Sequence, residues 1–460
     1  MVTFSGIETQ ILDALRAIVG DDNVSTGASE LELHSKDQSF HEAHLPEVVV
    51  WGRSSQQVAD VLKLANDNGI PVTPWGAGSS LEGNPIPLHG GILLSLARMD
   101  AVVEVHADDF QVTVQAGKPH KDLNADLAKY GLFFPPDPGA NATIGGMLAN
   151  NAAGIRTVKY GASKDNVLAA TVALADGRLI EVGSRSVKQS AGYNLLHLFV
   201  GSEGTLGIIT EATLKLAPIP EHRSTMIATF DDMDKAVEAV VAVRGSGVDV
   251  AALEFLDQVA AMMLARAGMQ IAPNNVLLME VFNAHASGLE EDVSVVRDLC
   301  QDLDCVDFVA MTDRTAQAKL WEARHGAYET MVRMMPSMDF QIMDVAVPIS
   351  AYPELVRHGH ATLKEHGLMA ALVGHAGDSN LHVTLPYADE AGLDTVKAIN
   401  HAIVTKAQEL GGTATGEHGV GIGKMSYMEA EHGVAIDVMR AVKQTFDPNG
   451  ILNPGKVLPA

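Results

Sequence analysis

Basic residues, cysteines and aromatics are all scarce in this chain. Its 460 residues carry 32 Lys and Arg against 57 Asp and Glu, a formal net charge of −25. Such an acidic surface argues against nucleic acid and anionic membrane as partners. It also repels small anions, so a carboxylate substrate needs a local positive site. The two cysteines, Cys300 and Cys305, fit no common zinc or iron–sulfur spacing and are consistent with a reducing compartment. No apolar run is long enough to span a bilayer. The N-terminus shows no basic segment followed by an apolar core, so no signal peptide is expected. The expected location is cytoplasmic, with any membrane association peripheral and made through a partner.

What is present describes a globular protein of two or three domains: 47% apolar residues, 19% charged, and 42 glycines that suit many tight loops. Near the N-terminus, Ile7, Ile11, Leu12, Leu15, Ile18 and Val19 form one helical stripe. From about Pro46 to Pro218, β-branched runs such as 48–52 and 71–74 alternate with helical patterns such as 55–68, which reads as α/β. After a linker at 218–222, a second pattern begins. It predicts strand 226–230, helix 233–244, strand 275–281, helix 288–303 and strand 305–311. That order suggests a ferredoxin-like unit with an antiparallel sheet. A last helix over 434–446 stops at Asp447-Pro-Asn-Gly. The expected domains are 1–220, 221–430 and a tail at 431–460 that returns to the first.

The densest chemistry lies in two late segments. Gly374-His-Ala-Gly-Asp-Ser-Asn-Leu-His382 reads as strand, turn, strand. If the hairpin centres on Asp378 and Ser379, His375 lies directly opposite His382, with Cβ atoms roughly 4.5–5.5 Å apart. Both rings then reach one metal ion. In Thr415-Gly-Glu-His-Gly-Val-Gly-Ile-Gly-Lys424, Glu417 and His418 are neighbours in a Gly-flanked turn, so their side chains diverge. One can bind the metal while the other faces whatever the metal holds.

Glycine loops form the second constellation. Trp75-Gly-Ala-Gly-Ser-Ser-Leu-Glu-Gly83 follows a strand, and its backbone N–H groups, with Ser79 and Ser80, can approach a pyrophosphate. It matches neither the Rossmann nor the P-loop pattern. The run 135–154 pairs a proline-stiffened loop with a helix of small residues, which permits close backbone approach to a large planar ligand. Gly201-Ser-Glu-Gly-Thr-Leu-Gly207 is the third. Three such loops suggest a long, extended cofactor.

These loops, with Leu320-Trp-Glu-Ala-Arg324, Asp344-Val-Ala-Val-Pro348, both His segments and Asp447-Pro-Asn-Gly-Ile-Leu-Asn-Pro-Gly-Lys456, resemble the vanillyl-alcohol-oxidase type of flavin oxidoreductase. The resemblance runs from about Pro46 to Lys456. Within that group it is closest to the D-2-hydroxyacid dehydrogenases, on the branch of cytochrome-type D-lactate dehydrogenase and the glycolate oxidase FAD subunit. It implies an α+β fold: a two-lobed FAD-binding domain plus a ferredoxin-like antiparallel-sheet cap domain over the isoalloxazine. It also implies FAD contacts from Trp75, Gly76, Ala77, Gly78, Ser79, Ser80 and Gly83 in the first loop. Pro136, Asp137, Gly139, Thr143, Gly145, Gly146, Asn150 and Gly154 follow from the second. Glu203, Gly204, Gly207 and Ile208 come from the third, and Asn453 and Lys456 from the tail.

The resemblance further implies one divalent metal on His375, His382 and Glu417, His418 as catalytic base, and Arg324 pairing the substrate carboxylate beside Trp321, Asn380 and His418. Zn, Mn and Fe all suit that donor set. Covalent relatives often use a His in the first glycine loop; 76–80 holds none, so non-covalent FAD is expected. The implied partners are a small 2-hydroxy acid and an external electron acceptor (cytochrome, quinone or electron-transfer flavoprotein), in a homo-oligomer. No Lys or Arg lies in 339–344, and Phe340, Ile342 and Met343 favour a short or apolar substrate side chain. That points to D-lactate, with glycolate and D-2-hydroxyglutarate as alternatives. A metallohydrolase leaves the glycine loops unexplained, and a non-catalytic flavoprotein subunit leaves the intact His/Glu set unexplained.

Overall fold

The computed structural model describes residues 4–459. It forms two compact units. The first comprises the chain up to Ala153, then Ala162–Ile219, and the chain from Glu417 onward; the second comprises Gly154–Gly161 and Pro220–Gly416. The chain thus re-enters the first unit at Glu417, earlier than the boundary at 430 read from the sequence, and Gly154 falls in the second unit.

The first unit has two lobes, each with its own core. In one, strands Val48–Trp51, Ile92–Ser95 and Val72–Trp75 run parallel, with Val24–Ser25 antiparallel at the edge. Helix Ser55–Asn68 is begun by the Ser54 side chain, which accepts the Gln57 N–H, and ended by Gly69 at φ 63. Its Val58, Val61, Leu62 and Ala65 are fully buried against Val48, Val50, Ile92 and Leu94. Each such Val or Leu contributes about 1.5–3 kcal/mol on burial.

The other lobe is an antiparallel sheet, in the order Val102–His106, Gln111–Gln115, Ile208–Lys215, Val167–Ala173 and Leu179–Gly183. The α/β alternation expected over the whole of 46–218 therefore holds only for its first part. Beyond it, two strands are joined by as little as the turn 107–110, too short for the crossover that a parallel pair needs.

The second unit is built on a seven-stranded antiparallel sheet. Its first four strands are His222–Phe230, Val250–Leu256, Asn275–Asn283 and Asp307–Met311, with spatial order fourth, first, third, second. That is the ferredoxin-like arrangement expected. Ala371–Gly374, Asn380–Tyr387 and Asp339–Ala346 extend it beyond Val250–Leu256. No helix among the described residues is long and apolar enough to cross a membrane.

Candidate active site

His375 and His382 flank the bend between the second unit's strands Ala371–Gly374 and Asn380–Tyr387. They are not directly opposed. His382 faces Val373 on one side and Asp344 on the other. A tight helical turn at Ala376–Asp378, with Ser379 left-handed at φ 59, consumes the intervening residues. The His375 carbonyl consequently accepts the N–H of Asn380 at 3.2 Å. Diagonal neighbours still share a face, and the two rings lie 5.3 Å apart, nearly perpendicular.

Behind His375 is a buried polar group that the sequence reading missed. Glu254, fully buried in the apolar strand Val250–Leu256, places its carboxylate 2.8 and 3.0 Å from His375 Nδ1. Arg324 Nη2 donates to the same carboxylate at 2.5 Å. Burial pushes the Glu254 carboxyl up, but the charges and hydrogen bonds of His375 and Arg324 outweigh it and hold the pKa below the usual value. The available signal was a single charge inside Val-Ala-Ala-Leu-Glu-Phe-Leu.

Arg324 sits near the end of helix Arg314–His325, which Asp313 caps by accepting the Ala316 N–H. It is 7% exposed, and its Nε has no hydrogen-bond partner. Trp321, one turn earlier, is packed in the core, and its indole N–H goes to Thr225 at 3.1 Å. It offers no polar group to a ligand, contrary to the substrate role expected for it.

On the far side, fully buried Asp344 organises the approach to Glu417. Its Oδ1 accepts the Asn380 amide at 2.6 Å; its Oδ2 accepts the Thr415 hydroxyl and the Gly416 N–H, each at 2.8 Å. His382 Nε2 lies 3.3 Å away. Asn380 donates again to the Val345 carbonyl, so both amide hydrogens are spent and only its buried Oδ1 is left without a partner. Asn380 therefore frames the site and has no donor left for a substrate. Glu417 is bonded directly to Gly416, and ligand atoms of His375, His382 and Glu417 lie within 4.8 Å of one another. Two imidazoles and a carboxylate at that spacing fit a divalent metal with open coordination positions.

The three apolar residues offered as a pocket wall do not act together. Strand alternation puts Phe340 and Ile342 on the face of Asp344 and Met343 on the other, where it is fully buried. The strand face carrying Glu254 also carries Glu280, which pairs with Arg156 at 3.5 Å.

In the first unit, the glycine loops and the tail converge. Glu203, left-handed at φ 52 and buried, accepts the Val420 N–H at 2.6 Å, the Gly421 N–H at 2.9 Å and the Asn84 amide at 2.5 Å. Burial raises its pKa against these bonds and the Lys456 charge. Asn453 donates to the carbonyls of Asn84 and Glu203. Lys456 donates to the carbonyl of Ile86 at 2.5 Å, and burial lowers its pKa to about 8 against the opposing charges of Glu203 and Asp37. The side chains of Glu203, Asn453 and Lys456 thus frame the loops. Asn150 holds the His418 carbonyl at 3.2 Å, and Thr143 caps helix Ile144–Asn150 through the Gly146 N–H.

Residues 219–457 match the C-terminal domain of FAD-linked oxidases, and 46–183 match an FAD-binding domain. The chain belongs to the FAD-linked oxidase family. A probable mitochondrial D-lactate dehydrogenase of Danio rerio is 38% identical, covering 98% of this chain and 92% of that one. A mitochondrial cytochrome-type D-lactate dehydrogenase of Arabidopsis thaliana is 36% identical, covering 99% and 81%. Glycolate oxidase subunit GlcD of Bacillus subtilis is 34% identical, covering 98% and 97%. Among solved structures, p-cresol methylhydroxylase superposes with a TM-score of 0.80 at 17% identity, covering 99% of this chain and 98% of that one. The 4-ethylphenol oxidase of Gulosibacter chungangensis does so at 0.80 and 16%, covering 99% of both. The fold is therefore the vanillyl-alcohol-oxidase type, and the protein is an FAD-linked oxidoreductase.

This FAD-linked oxidase has a backbone that fits the cofactor. Among the described residues, the N–H groups of Gly76, Ala77, Gly78, Ser79 and Ser80 donate to no protein acceptor. The loop is held close against the capped helix: a Cβ on Gly76 would meet Thr143 Oγ1 at 2.4 Å. Gly78 and Gly83 have positive φ, 65 and 76. A row of unspent N–H groups on glycine backbone suits a pyrophosphate. Elsewhere the small residues serve packing: a Cβ on Gly145 would strike Ala116, on Gly204 Pro74, and on Gly207 Val172.

Proposed function

We propose that this enzyme oxidises a D-2-hydroxy monocarboxylate, D-lactate first, to the 2-oxo acid with assistance from one divalent metal and non-covalent FAD. The observation that carries the reading is the His375, His382 and Glu417 cluster in a chain of this family. The relatives named D-lactate dehydrogenase support the substrate, and the one named glycolate oxidase subunit keeps glycolate in view. Arg324 pairs with Glu254 and Arg156 with Glu280.

When bound, the flavin supplies a hydride acceptor, and the divalent ion supplies a charge that acidifies an α-hydroxyl. His375, His382 and Glu417 hold the ion. Arg324, whose Nε has no protein partner, takes the substrate carboxylate, a task a guanidinium suits. His418, next to Glu417, takes the hydroxyl proton as general base. The first loop's N–H groups and Ser79 and Ser80 hold the pyrophosphate. Electrons leave to an external acceptor. The test is a panel of D- and L-2-hydroxy acids with an artificial electron acceptor. D-lactate is expected to give the highest kcat/KM, with glycolate below it by roughly 10–200-fold for one methyl. A higher kcat/KM for D-2-hydroxyglutarate than for any monocarboxylate defeats the substrate assignment.

A further inference from the structure

We infer that Glu254 is a positioning residue that sets the tautomer of His375 and so the metal affinity, as a duty separate from its ion pair with Arg324. The inference rests on the metal reading above. Glu254 is fully buried and shares one oxygen with the Arg324 guanidinium, a group that only donates, so this carboxylate acts as an acceptor. Its two oxygens lie 2.8 and 3.0 Å from His375 Nδ1. The Nδ1 atom must therefore carry a proton, which leaves the Nε2 lone pair for a ligand. A carboxylate on the distal nitrogen also fixes the ring plane and raises the basicity of the ligating one.

The same oxygen that faces Nδ1 at 3.0 Å takes Arg324 Nη2 at 2.5 Å. One carboxylate thus serves a metal ligand and a cation on a different element. His382 is placed differently. Asp344 is 3.3 Å from its Nε2 and is already engaged by Asn380, Thr415 and Gly416.

The substitution Glu254→Gln reverses the lock without changing the shape. Arg324 Nη2 keeps the amide oxygen, so the amide NH2 faces Nδ1. His375 must then accept at Nδ1 and carry its proton on Nε2, where it cannot ligate. Arg324→Gln removes the same ion pair but leaves the carboxylate on Nδ1.

The experiment titrates flavin-replete, metal-stripped protein with Mn²⁺ and with Zn²⁺ in a calorimeter, with flavin content and thermal midpoint checking the fold. Glu254→Gln is expected to weaken binding by about 10–100-fold, and Arg324→Gln to leave it near wild type. Glu254→Asp, which keeps an acceptor for the Nδ1 proton, is expected to bind more tightly than Glu254→Gln. Equal affinity in Glu254→Gln and wild type overturns the inference while leaving the metal reading intact. Equal losses in Glu254→Gln and Arg324→Gln overturn it too, since they show that only the ion pair matters. Should Glu254→Gln not fold, Arg324→Gln binding the metal more weakly than Glu254→Asp overturns it. Wild-type protein that binds neither ion overturns the metal reading and this inference together.

Discussion

The Asp344 carboxylate accepts the backbone N–H of Gly416 at 2.8 Å, fixing the residue that precedes Glu417. The same oxygen takes the Thr415 hydroxyl, and its partner oxygen takes the Asn380 amide. In Asp344→Asn, one oxygen becomes an NH2 group facing donors. A buried donor left facing donors costs about 1–3 kcal/mol. The thermal midpoint is expected to fall and metal content to drop, with flavin retained. An unchanged midpoint in differential scanning calorimetry contradicts this role.

Gly416 leaves no room for a side chain. A Cβ there would lie 2.3 Å from Asn380 Nδ2 and 2.9 Å from Asp344 Oδ1. Gly416→Ala is expected to displace the Glu417 approach and lower metal content measured by elemental analysis. The first unit's loops do not involve this contact, so bound flavin is expected to persist. Full metal occupancy in this variant would show that Glu417 is held by other means.

Much of this was readable from the residues. Periodicity placed helix 55–68 because Val58, Val61 and Leu62 repeat on one stripe and Ser54 and Gly69 cap it. The ferredoxin-like unit was legible for the same reason, although strand Val250–Leu256 went unassigned and with it Glu254. The hairpin register failed because the turn forms over Ala376–Asp378, so the pairing centres on Gly377 and Asp378, one residue earlier than read. Tertiary partners were the least legible: nothing in the local sequence says that Trp321 gives its N–H to Thr225 or that Glu203 takes Val420 and Gly421.

A pH effect follows from Asp257, which caps helix Gln258–Arg266 by accepting the Ala260 N–H at 2.8 Å. Burial pushes its pKa up to about 7, against its backbone hydrogen bonds. The folded protein then binds a proton that the unfolded chain, near 3.9, has lost. This group's contribution to stability therefore falls as pH rises from about 4 to about 7 and is level above. Asn caps as well as Asp. Asp257→Asn is expected to be more stable than wild type at pH 8, by roughly 1–4 kcal/mol, with the advantage shrinking toward pH 4. A constant difference across that range in thermal melts refutes the assignment.

His418 is tested separately from the metal. His418→Ala is expected to keep metal and flavin but to reduce flavin more slowly by about 10²–10⁴-fold, as for loss of a general base. Rapid reduction at the wild-type rate in stopped flow reassigns the base.

The most direct test of metal-assisted D-2-hydroxy acid oxidation is anaerobic bleaching of the bound flavin by D-lactate, followed in one preparation before and after chelator stripping. The account predicts rapid bleaching by D-lactate and not by L-lactate, lost on stripping and restored by Mn²⁺ or Zn²⁺ while the oxidised flavin spectrum stays intact. Undiminished bleaching in protein shown metal-free by elemental analysis would contradict it.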